Sequence, residues 1–381
     1  MTTPTKFDTI VIGGGIIGAS CAWHLLEAGV DNVLLLEKDT PASKASGRAA
    51  GHLSTYTSRK FEESIRRYCI EFHESIAARH DNVSLREDVD HVLAYTERGV
   101  EKLEELLKLD SEKLTLVDRC ELANREPVFN TEEILAALLY EEAVHTDPYS
   151  LTMAVLSEAK ESGATLRTEE VTDIECGEDE FTVTTEDASY ETSTVVNAAG
   201  AWSGDLASMV GISLPVKPRT SQIVVLEPRD SINIPMFHCP DIGLYGRQEL
   251  NGDVLVGGGT STVIPDPDNF STNAREEFLQ YVSEQVWKIA DVLDDTRLVN
   301  HWAGRCTATP DRRPIIGPTD VSGFYLCTGF NGGGVARSPF AGKLIADYVA
   351  ERSLSFTAEP YHPNRFNGRE RFDVKSASTD W

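Results

Sequence analysis

Residues 8–37 constrain the fold more than any other stretch of the chain. They read DTIVIGGGIIGASCAWHLLEAGVDNVLLLE, an apolar strand from Asp8 to Ile12, a glycine cluster, an amphipathic helix and a second strand that ends at Glu37. The apolar residues form a continuous run in each of the two strands and recur with helical spacing between them. This order predicts a βαβ unit with a parallel sheet, and therefore an α/β protein.

The glycines of the first turn follow the spacing G-x-G-x-x-G. Gly13 allows the tight turn, Gly15 lets the backbone approach a pyrophosphate, and Gly18 lets the helix pack on the strand. The helix N-terminus stabilises the anion. Glu37 lies nineteen residues after Gly18. A carboxylate at this position of a dinucleotide-binding unit accepts hydrogen bonds from both hydroxyls of the ligand's ribose, and it excludes a ligand with a 2′-phosphate. The pattern predicts NAD or FAD as the ligand rather than NADP.

Acidic residues outnumber basic ones, with 61 Asp and Glu against 35 Lys and Arg, and the net charge is −26. A surface of this sign repels phosphate backbones and anionic membranes, so we expect no nucleic-acid partner. The excess is spread along the chain rather than gathered in a tail. This distribution resembles the acidic surfaces of halophilic proteins, and an acidic mesophilic protein is the alternative.

Cysteine usage and hydropathy indicate the compartment. The seven cysteines lie far apart and form no C-x-x-C pair, which is typical of a reduced, cytoplasmic protein without a zinc site, and we expect no metal. The one apolar stretch near membrane-spanning length, residues 9–26, is divided by its glycine cluster, and no basic segment precedes it. We expect no integral membrane segment, and contact with a membrane only through an electron acceptor.

Five further motifs lie along the chain. They are ASGRAAGH at 45–52, HTDPYSL at 145–151, VVNAAGAWS at 195–203, WAG followed by TPDRRPIIGP within 302–318, and GFNGGGVARSP at 329–339. Together with the glycine turn they resemble the D-amino-acid oxidase superfamily of FAD enzymes, which includes glycine oxidase, sarcosine oxidase and D-amino-acid dehydrogenases. The resemblance extends over nearly the whole chain and favours FAD over NAD.

The resemblance implies two interleaved domains. A Rossmann-like FAD-binding domain would comprise residues 1–85, 145–217 and 303–381, and a substrate domain with an antiparallel sheet would comprise residues 86–144 and 218–302. The residue pattern agrees, because residues 150–166 have the period of an amphipathic helix and the segment 218–262 has the alternation of antiparallel strands.

The resemblance also implies which residues contact a non-covalent FAD. A helix that starts near Ser338–Pro339 would point its positive end at the flavin N1–C2=O edge, since proline suits the first turn of a helix. The alternative for the glycine triplet before it is a flexible loop. The expected contacts are Gly13, Gly15, Ile16, Ile17, Gly18, Glu37, Lys38, Ser46, Arg48, Ala49, Ala50, His52, Val171, Ala199, Gly200, Trp202, Asn331, Gly332, Gly333, Gly334 and Val335.

Catalysis in this superfamily is hydride transfer from the substrate C–H to flavin N5, which gives an imine that water hydrolyses, so no dedicated base is expected. The catalytic candidates are His52, Tyr245, Arg305 and Cys306. His52 matches a pocket histidine of D-arginine-type dehydrogenases, and Tyr245 matches a family tyrosine or is a core aromatic. The arginines that could bind a substrate carboxylate, or could pair on the surface, are Arg219, Arg247, Arg305 and Arg337.

Four positions depart from the family pattern. Cys306 stands where amino-acid and glycine oxidases have a carboxylate-binding arginine, so either Arg305 takes over that role or the substrate is held from elsewhere. The positions that tether flavin in relatives are here Gly304 and Arg48, which predicts dissociable FAD. Leu255 stands where sarcosine oxidases carry an oxygen-activating lysine, which favours a dehydrogenase that passes electrons to a quinone or carrier rather than to O2.

The function that follows is FAD-dependent oxidation of a D-amino acid, of glycine or of a secondary amine such as sarcosine. Two alternatives stay open at this point. One is a 2-hydroxy-acid or glycerol-phosphate dehydrogenase of the same fold, and the other is a flavoprotein subunit of an electron-transfer complex. The sequence leaves the substrate, its enantiomer, the electron acceptor and the oligomeric state undetermined.

The acidic composition leads to a prediction about salt. Self-repulsion of a net charge of −26 destabilises the compact state, and molar salt screens it, so we expect the free energy of unfolding to rise steeply between 0.1 M and about 2 M KCl. Equilibrium urea unfolding in both buffers measures this difference. A midpoint that is indifferent to KCl would contradict the halophilic interpretation.

Overall fold

The computed structural model describes residues 5–54, 62–109, 113–258, 262–264 and 266–366. The strands are β1 Thr5–Ile12, β2 Val33–Glu37, β3 His52–Ser54, β4 Arg86–Ala94, β5 Leu114–Asp118, β6 Ala136–His145, β7 Thr165–Thr168, β8 Val171–Cys176, β9 Phe181–Thr185, β10 Ser189–Asn197, β11 Lys217–Pro228, β12 Phe237–Cys239, β13 Leu244–Gln248, β14 Val254–Gly258, β15 Thr296–Ala308, β16 Ile315–Pro318 and β17 Phe324–Thr328. The helices are α1 Ile16–Glu27, α2 Glu63–Ala77, α3 Glu97–Leu109, α4 Arg119–Arg125, α5 Pro148–Glu161, α6 Ser203–Met209, α7 Glu276–Gln285 and α8 Gly334–Val349.

The first sheet is the parallel one that the N-terminal pattern predicts. Its order is β16–β17–β10–β1–β2–β7, and the β8–β9 hairpin joins it through β10. Strand β1 lies between β10 and β2 and is parallel to both. Residues 9–12 of β1 and 33–36 of β2 are buried on both faces, and these segments consist of almost continuous apolar residues. Helices α1, α2, α5 and α8 cover one face, and the β8–β9 hairpin packs towards the other.

The second sheet is mostly antiparallel. Its order is β15–β11–β14–β13–β12–β4–β6–β3, and β5 pairs with β6. The long strands β11 and β15 pair from Lys217↔Ala308 to Pro228↔Thr296. Residues of α4 and α7 pack into the hydrophobic core on one face of this sheet. The mixed α/β architecture is therefore as expected.

The strands of the two sheets alternate along the chain, as interleaved domains require. Two strands depart from the expected ranges. Strand β3 lies within residues 1–85 and nevertheless pairs with β6 of the second sheet, and β15 of the second sheet continues past residue 302 to Ala308. Strand β3 begins at His52, the last residue of the ASGRAAGH motif, so this motif leads into the second sheet. The domain boundaries themselves stay a prediction.

The start of α8 differs from expectation. The helix begins at Gly334, and Pro339 lies inside it, so the prediction of a start near Ser338–Pro339 is wrong. The first four N–H groups of a helix have no acceptor within it, which lets proline fit there, but Pro339 lies beyond them. Proline has no N–H, so Pro339 cannot donate to the Val335 carbonyl four residues earlier. That carbonyl instead accepts a hydrogen bond from Ser338 Oγ at 3.1 Å.

The glycine turn allows α1 to approach the sheet closely. Gly13 has φ +116°, in the region that favours glycine, and a Cβ there would lie 2.5 Å from the carbonyl oxygen of Ala198. A Cβ on Gly18 would overlap the carbonyl oxygen of Gly13. These contacts involve backbone atoms, which cannot move aside without shifting a strand.

Gly18→Ala therefore tests this packing. We expect it to lower the free energy of unfolding by about 3 kcal/mol, at the upper end of overpacking effects, because the new methyl group meets backbone. The matched control is Gly204→Ala in α6, where the nearest atom to a new Cβ is Val216 Cγ2 at 3.8 Å. This control should be neutral or slightly stabilising, since alanine favours helices. Urea unfolding in one KCl concentration compares the two, and equal stabilities would contradict the prediction.

Candidate active site

A cavity of 790 Å³ lies between the two sheets. Its lining runs from Glu37 at the end of β2, past the glycine turn and the N-terminus of α8, to Tyr245 and Cys306 of the second sheet. The carboxyl ends of β1, β2 and β10 open into it, the edge where α/β sheets bind ligands.

Glu37 and the glycine turn form the first end. The Gly14 N–H donates to Glu37 Oε2 at 2.6 Å, and the Asp39 N–H donates to Glu37 Oε1 at 2.9 Å. The Ile16 N–H donates to Ser46 Oγ at 2.9 Å. Burial raises the pKa of the Glu37 carboxyl, while the two backbone N–H groups act against that rise. Each carboxylate oxygen keeps a second lone pair for a ligand hydroxyl.

An aromatic and ionic cluster borders the same end. Lys38 Nζ lies 4.2 Å from the ring centre of Trp202 and 2.6 Å from Asp268 Oδ1. The Trp202 Nε1–H donates to the same Asp268 oxygen at 2.9 Å. The Arg305 guanidinium lies over Trp202 at 5.4 Å and over Phe270 at 4.7 Å. Arg305 therefore belongs to this cluster.

Strand geometry separates Arg305 from Cys306. Neighbouring residues of a strand point to opposite faces, and Arg305 pairs with Thr220 while Cys306 pairs with Arg219. Burial, followed by the positive charge of Arg48, lowers the pKa of Arg305. The structure does not bring Arg305 together with the other three catalytic candidates.

The turn before α8 forms the middle of the cavity. Asn331, with φ +52°, donates through its backbone N–H to the Thr307 carbonyl at 3.0 Å. Its side-chain oxygen accepts from the Thr309 N–H at 3.1 Å. These bonds hold the glycine triplet 332–334 against β15. The first N–H groups of α8 have no side-chain cap, and a helix start of this kind favours negative charge.

Cys306 lies at the second end, in a row of polar side chains. Burial raises the pKa of its thiol, although the neighbouring Arg219 and Ser221 oppose the rise. A protonated thiol is a poor nucleophile. Cys306 is thus a neutral wall residue of the cavity.

Three aromatic side chains complete this end. The His52 ring lies 5.6 Å from that of Tyr245 and 5.4 Å from that of His238. Burial lowers the pKa of His52 well below its ordinary value, and the positive charges of His238 and Arg247 add to this effect. Its Nε2 is buried without a hydrogen-bond partner among the described residues. His52 is therefore neutral and can bind a polar atom of a ligand.

Nearly all of the candidates from the sequence border this one cavity. The exception is Gly18, which serves packing, while the other predicted contacts from Gly13 to Val335 and the four catalytic candidates line it. Sequence reasoning missed Ser221 and His238, and it did not single out Arg219 among the arginines. No local motif marks them, because their position depends on the pairing of β11 and β12 with distant strands.

The residues present fit a dinucleotide that carries a second ring system. Glu37 and the glycine turn suit a ribose and a pyrophosphate, and the cavity continues past α8 to a polar and aromatic wall. A parallel sheet with this turn, joined to an antiparallel sheet across such a cavity, defines a dinucleotide-binding protein of mixed α/β fold.

Comparison with known proteins narrows this class. Residues 8–348 match the family model described as FAD dependent oxidoreductase. The chain belongs to this family, whose cofactor is FAD, and the resemblance found in the motifs is confirmed.

Individual relatives support the assignment. Over 95% of the chain, the sequence is 28% identical to human mitochondrial dimethylglycine dehydrogenase, of which it covers 44%. It is 24% identical to glycine oxidase of Geobacillus kaustophilus over 96% of the chain and 98% of that protein. The crystal structure of L-proline dehydrogenase from P. horikoshii superposes with a TM-score of 0.85 at 26% identity, covering 96% of this chain and 98% of that one. The chain thus spans less than half the length of the human relative.

Two expected absences can be compared with the structure. Among the described residues, no helix is both long and apolar enough to cross a membrane. Within the same residues, no cluster of histidine, cysteine and carboxylate side chains is arranged to hold a metal ion.

The two tether positions predict that FAD is released by acid. Arg48 donates to the Ser43 and Ala303 carbonyls at 3.2 and 3.1 Å, and Gly304 has no side chain, so neither position offers an imidazole or a thiol. Precipitation of the FAD-loaded protein with trichloroacetic acid should leave a colourless pellet and a yellow supernatant. A yellow pellet would contradict this, and the variants Cys306→Ser and His52→Gln would then identify the attachment point.

Proposed function

We propose that this chain oxidises the C–N bond of a small amino acid or N-methylated amino acid. Bound FAD supplies the hydride acceptor, and the protein supplies substrate position, charge and exclusion of water. The observation that carries the proposal is a buried guanidinium, that of Arg219, which lies across from Cys306 in the cavity wall.

Arg219 compensates for the arginine that Cys306 replaces. It belongs to β11, and the register Arg219↔Cys306 puts both side chains on the same face of the second sheet. Its Nη2 donates to the Asn331 carbonyl at 3.3 Å, which ties it to the turn before α8. Its Nε is buried and lacks a hydrogen-bond partner within the described part of the chain. A substrate carboxylate would satisfy this N–H in the bidentate geometry that arginine favours.

The other candidate arginines are engaged elsewhere. Arg247 donates to the Ala50 carbonyl at 2.8 Å and pairs with Glu249 at 3.0 Å. Arg305 stacks in the cluster near Trp202. Burial lowers the pKa of Arg337 to about 10, and its position on α8 suits an interaction with the cofactor. Arg219 is therefore the best carboxylate holder of the four.

The named relatives support the substrate class. Dimethylglycine, glycine and L-proline, after which these relatives are named, each combine a carboxylate with a nitrogen on the next carbon. A guanidinium beside a flavin would hold such a carboxylate and direct the neighbouring C–H. Because the chain covers less than half of dimethylglycine dehydrogenase, we propose the shared chemistry and not that enzyme's whole activity.

Electron transfer to an acceptor other than O2 completes the proposal. Leu255 is 3% exposed and packs with Ala50 and Ile223, so it puts an apolar side chain where a lysine would stabilise superoxide. We infer a dehydrogenase that reduces a quinone or a protein carrier. Peroxide formation in air should be slow compared with reduction of an artificial dye by the same substrate.

Arg219→Gln and Arg219→Lys test the carboxylate site. Anaerobic loss of flavin absorbance is measured with sarcosine, dimethylglycine, glycine, D-alanine, L-proline and lactate. For the substrate that works best, Arg219→Gln should raise Kd about 100-fold, which corresponds to about 2.7 kcal/mol for a lost charge-assisted pair. Arg219→Lys should lose less affinity than Arg219→Gln, because lysine keeps the positive charge but lacks the paired N–H donors of the guanidinium.

The matched control is Arg297→Gln, which removes an exposed arginine paired with Glu227. It should leave Kd unchanged. If no amine bleaches the wild-type flavin, the proposed function is wrong. If amines bleach it and Arg219→Gln has the wild-type Kd, a different residue holds the carboxylate.

A further inference from the structure

A buried carboxylate lies directly behind the second end of the cavity. Asp90 of β4 has no exposed surface, and its Oδ1 lies 2.6 Å from Nδ1 of His238 on β12. Removing a carboxylate from water is costly, and a buried ion pair recovers little net stability. A pair of this kind beside a binding cavity therefore calls for a chemical explanation.

Strand pairing directs His238 towards the cavity. Strand β12 is parallel to β4, which brings Asp90 behind the ring, and it is antiparallel to β13, with the register His238↔Tyr245. The His238 ring stacks on Tyr245 with centres 5.8 Å apart and 24° between the planes. His52 meets the same ring from β3, edge to face. His238 lines the cavity, whereas Asp90 does not.

The carboxylate determines the tautomer of the imidazole. A carboxylate only accepts hydrogen bonds, so His238 Nδ1 carries the proton that it donates to Asp90. In the neutral ring the lone pair then lies on Nε2. If Nε2 takes up a proton, the negative charge of Asp90 balances the imidazolium. The pair is thus suited to accept a proton.

The proposed reaction requires such an acceptor. In neutral water an amino acid carries an ammonium group, whose nitrogen has no lone pair to assist departure of a hydride from the neighbouring carbon. One N–H proton must leave first. Transfer to a positioned base inside the site avoids the need to bind the rare neutral form from solution.

The other titratable groups around His238 are unsuited to this step. Burial lowers the pKa of His52 and of His145 on β6. Burial also raises the pKa of Tyr245 to about 12. Arg247 on β13 is a cation that has no lone pair to offer. The His52 and His238 rings lie 5.4 Å apart, and of these two rings it is His238 that contacts the Asp90 carboxylate.

We propose that His238, positioned by Asp90, accepts the proton that the substrate ammonium group loses before C–H cleavage. The substrate N–H bond breaks, its electron pair stays on nitrogen, and a new N–H bond forms at His238 Nε2. The hydride then leaves the carbon, and the proton returns from His238 to solvent. This step rests on the proposed function. The C–H bond is broken by hydride transfer and needs no base, so the role proposed for His238 concerns the N–H proton alone.

The geometry of the wall agrees with this assignment. Arg219 and Ser221 adjoin Cys306, Ser221 adjoins Tyr245, and the His238 ring stacks on Tyr245. One continuous row of side chains therefore has a carboxylate holder at one end and a proton acceptor at the other, as a zwitterionic substrate requires.

The test compares two probes of different basicity. Sarcosine is protonated at neutral pH, whereas the electron-withdrawing group of N-(2,2,2-trifluoroethyl)glycine makes its nitrogen far less basic. In anaerobic flavin reduction near pH 7, His238→Gln should lower kred/Kd about 100-fold for sarcosine and less than threefold for the fluorinated probe. The sarcosine deficit should shrink as the pH rises towards the pKa of its amine, because the variant then receives neutral substrate. Asp90→Asn should lower kred/Kd for sarcosine about tenfold.

The matched control is His80→Gln, which removes a histidine 2.8 Å from a carboxylate, that of Glu158, outside the cavity. It should have the wild-type pH profile. A purely structural role for His238 predicts equal losses for both probes at every pH, and that result would overturn the proposal. If no amine reduces the wild-type flavin, both the proposed function and this inference are wrong.

A second readout does not depend on turnover. In the ¹⁵N NMR spectrum of the histidine-labelled holoenzyme, the His238 signals are identified by their loss in His238→Gln. They should report a proton on Nδ1 in the wild type, and this preference should be lost in Asp90→Asn. A neutral ring with its proton on Nε2 in the wild type would overturn the proposal even if His238→Gln fails to fold, because Asp90→Asn still supplies the assignment.

Discussion

The close approach of backbone to backbone at the glycine turn is the contact on which the rest of the structure depends. A Cβ on Gly13 would collide with the Ala198 carbonyl, and a Cβ on Gly18 would collide with the Gly13 carbonyl. Because both residues are glycine, α1 starts directly above the carboxyl edge of the parallel sheet. That edge forms the floor of the cavity. A helix held further from the sheet would leave Glu37 and Ser46 without their backbone donors at Gly14 and Ile16, and the dinucleotide end of the site would not form.

The ASGRAAGH motif joins this floor to the second sheet. The Trp302 Nε1–H donates to the Arg48 carbonyl at 3.0 Å, Arg48 donates to Ala303 at 3.1 Å, and Arg247 donates to Ala50 at 2.8 Å. These arginine and tryptophan side chains donate hydrogen bonds to backbone carbonyls. Without them, folding would remove the carbonyls from water and leave them with no hydrogen-bond partner. The motif thus positions the two ends of the cavity relative to each other.

In the proposed substrate site, an arginine from a neighbouring strand would take the role of the arginine that Cys306 replaces. Cys306 stands where the resemblance leads one to expect an arginine, and the register of β11 with β15 brings Arg219 to the same face. Arg305, adjacent to Cys306 in the chain, points the other way into the cluster of Trp202 and Phe270. Proximity in sequence was therefore misleading, because the alternation of a strand sends neighbours to opposite faces.

Local pattern was sufficient for the βαβ unit, the glycine turn and the acidic residue at the end of β2, since each depends on a short segment whose period and residue types are diagnostic. The choice of FAD came instead from the resemblance to a known family. Nearly all of the site candidates line the cavity, because they lie within the motifs. Local pattern failed for the start of α8, where the turn 331–333 and not Pro339 determines the first residue. The grouping of Arg219 with Cys306, and of His238 with Asp90 and Tyr245, was decided by tertiary structure alone. The physical reason is that strand register is set by the burial of whole sheet faces, so pairs separated by tens of residues leave no local signal.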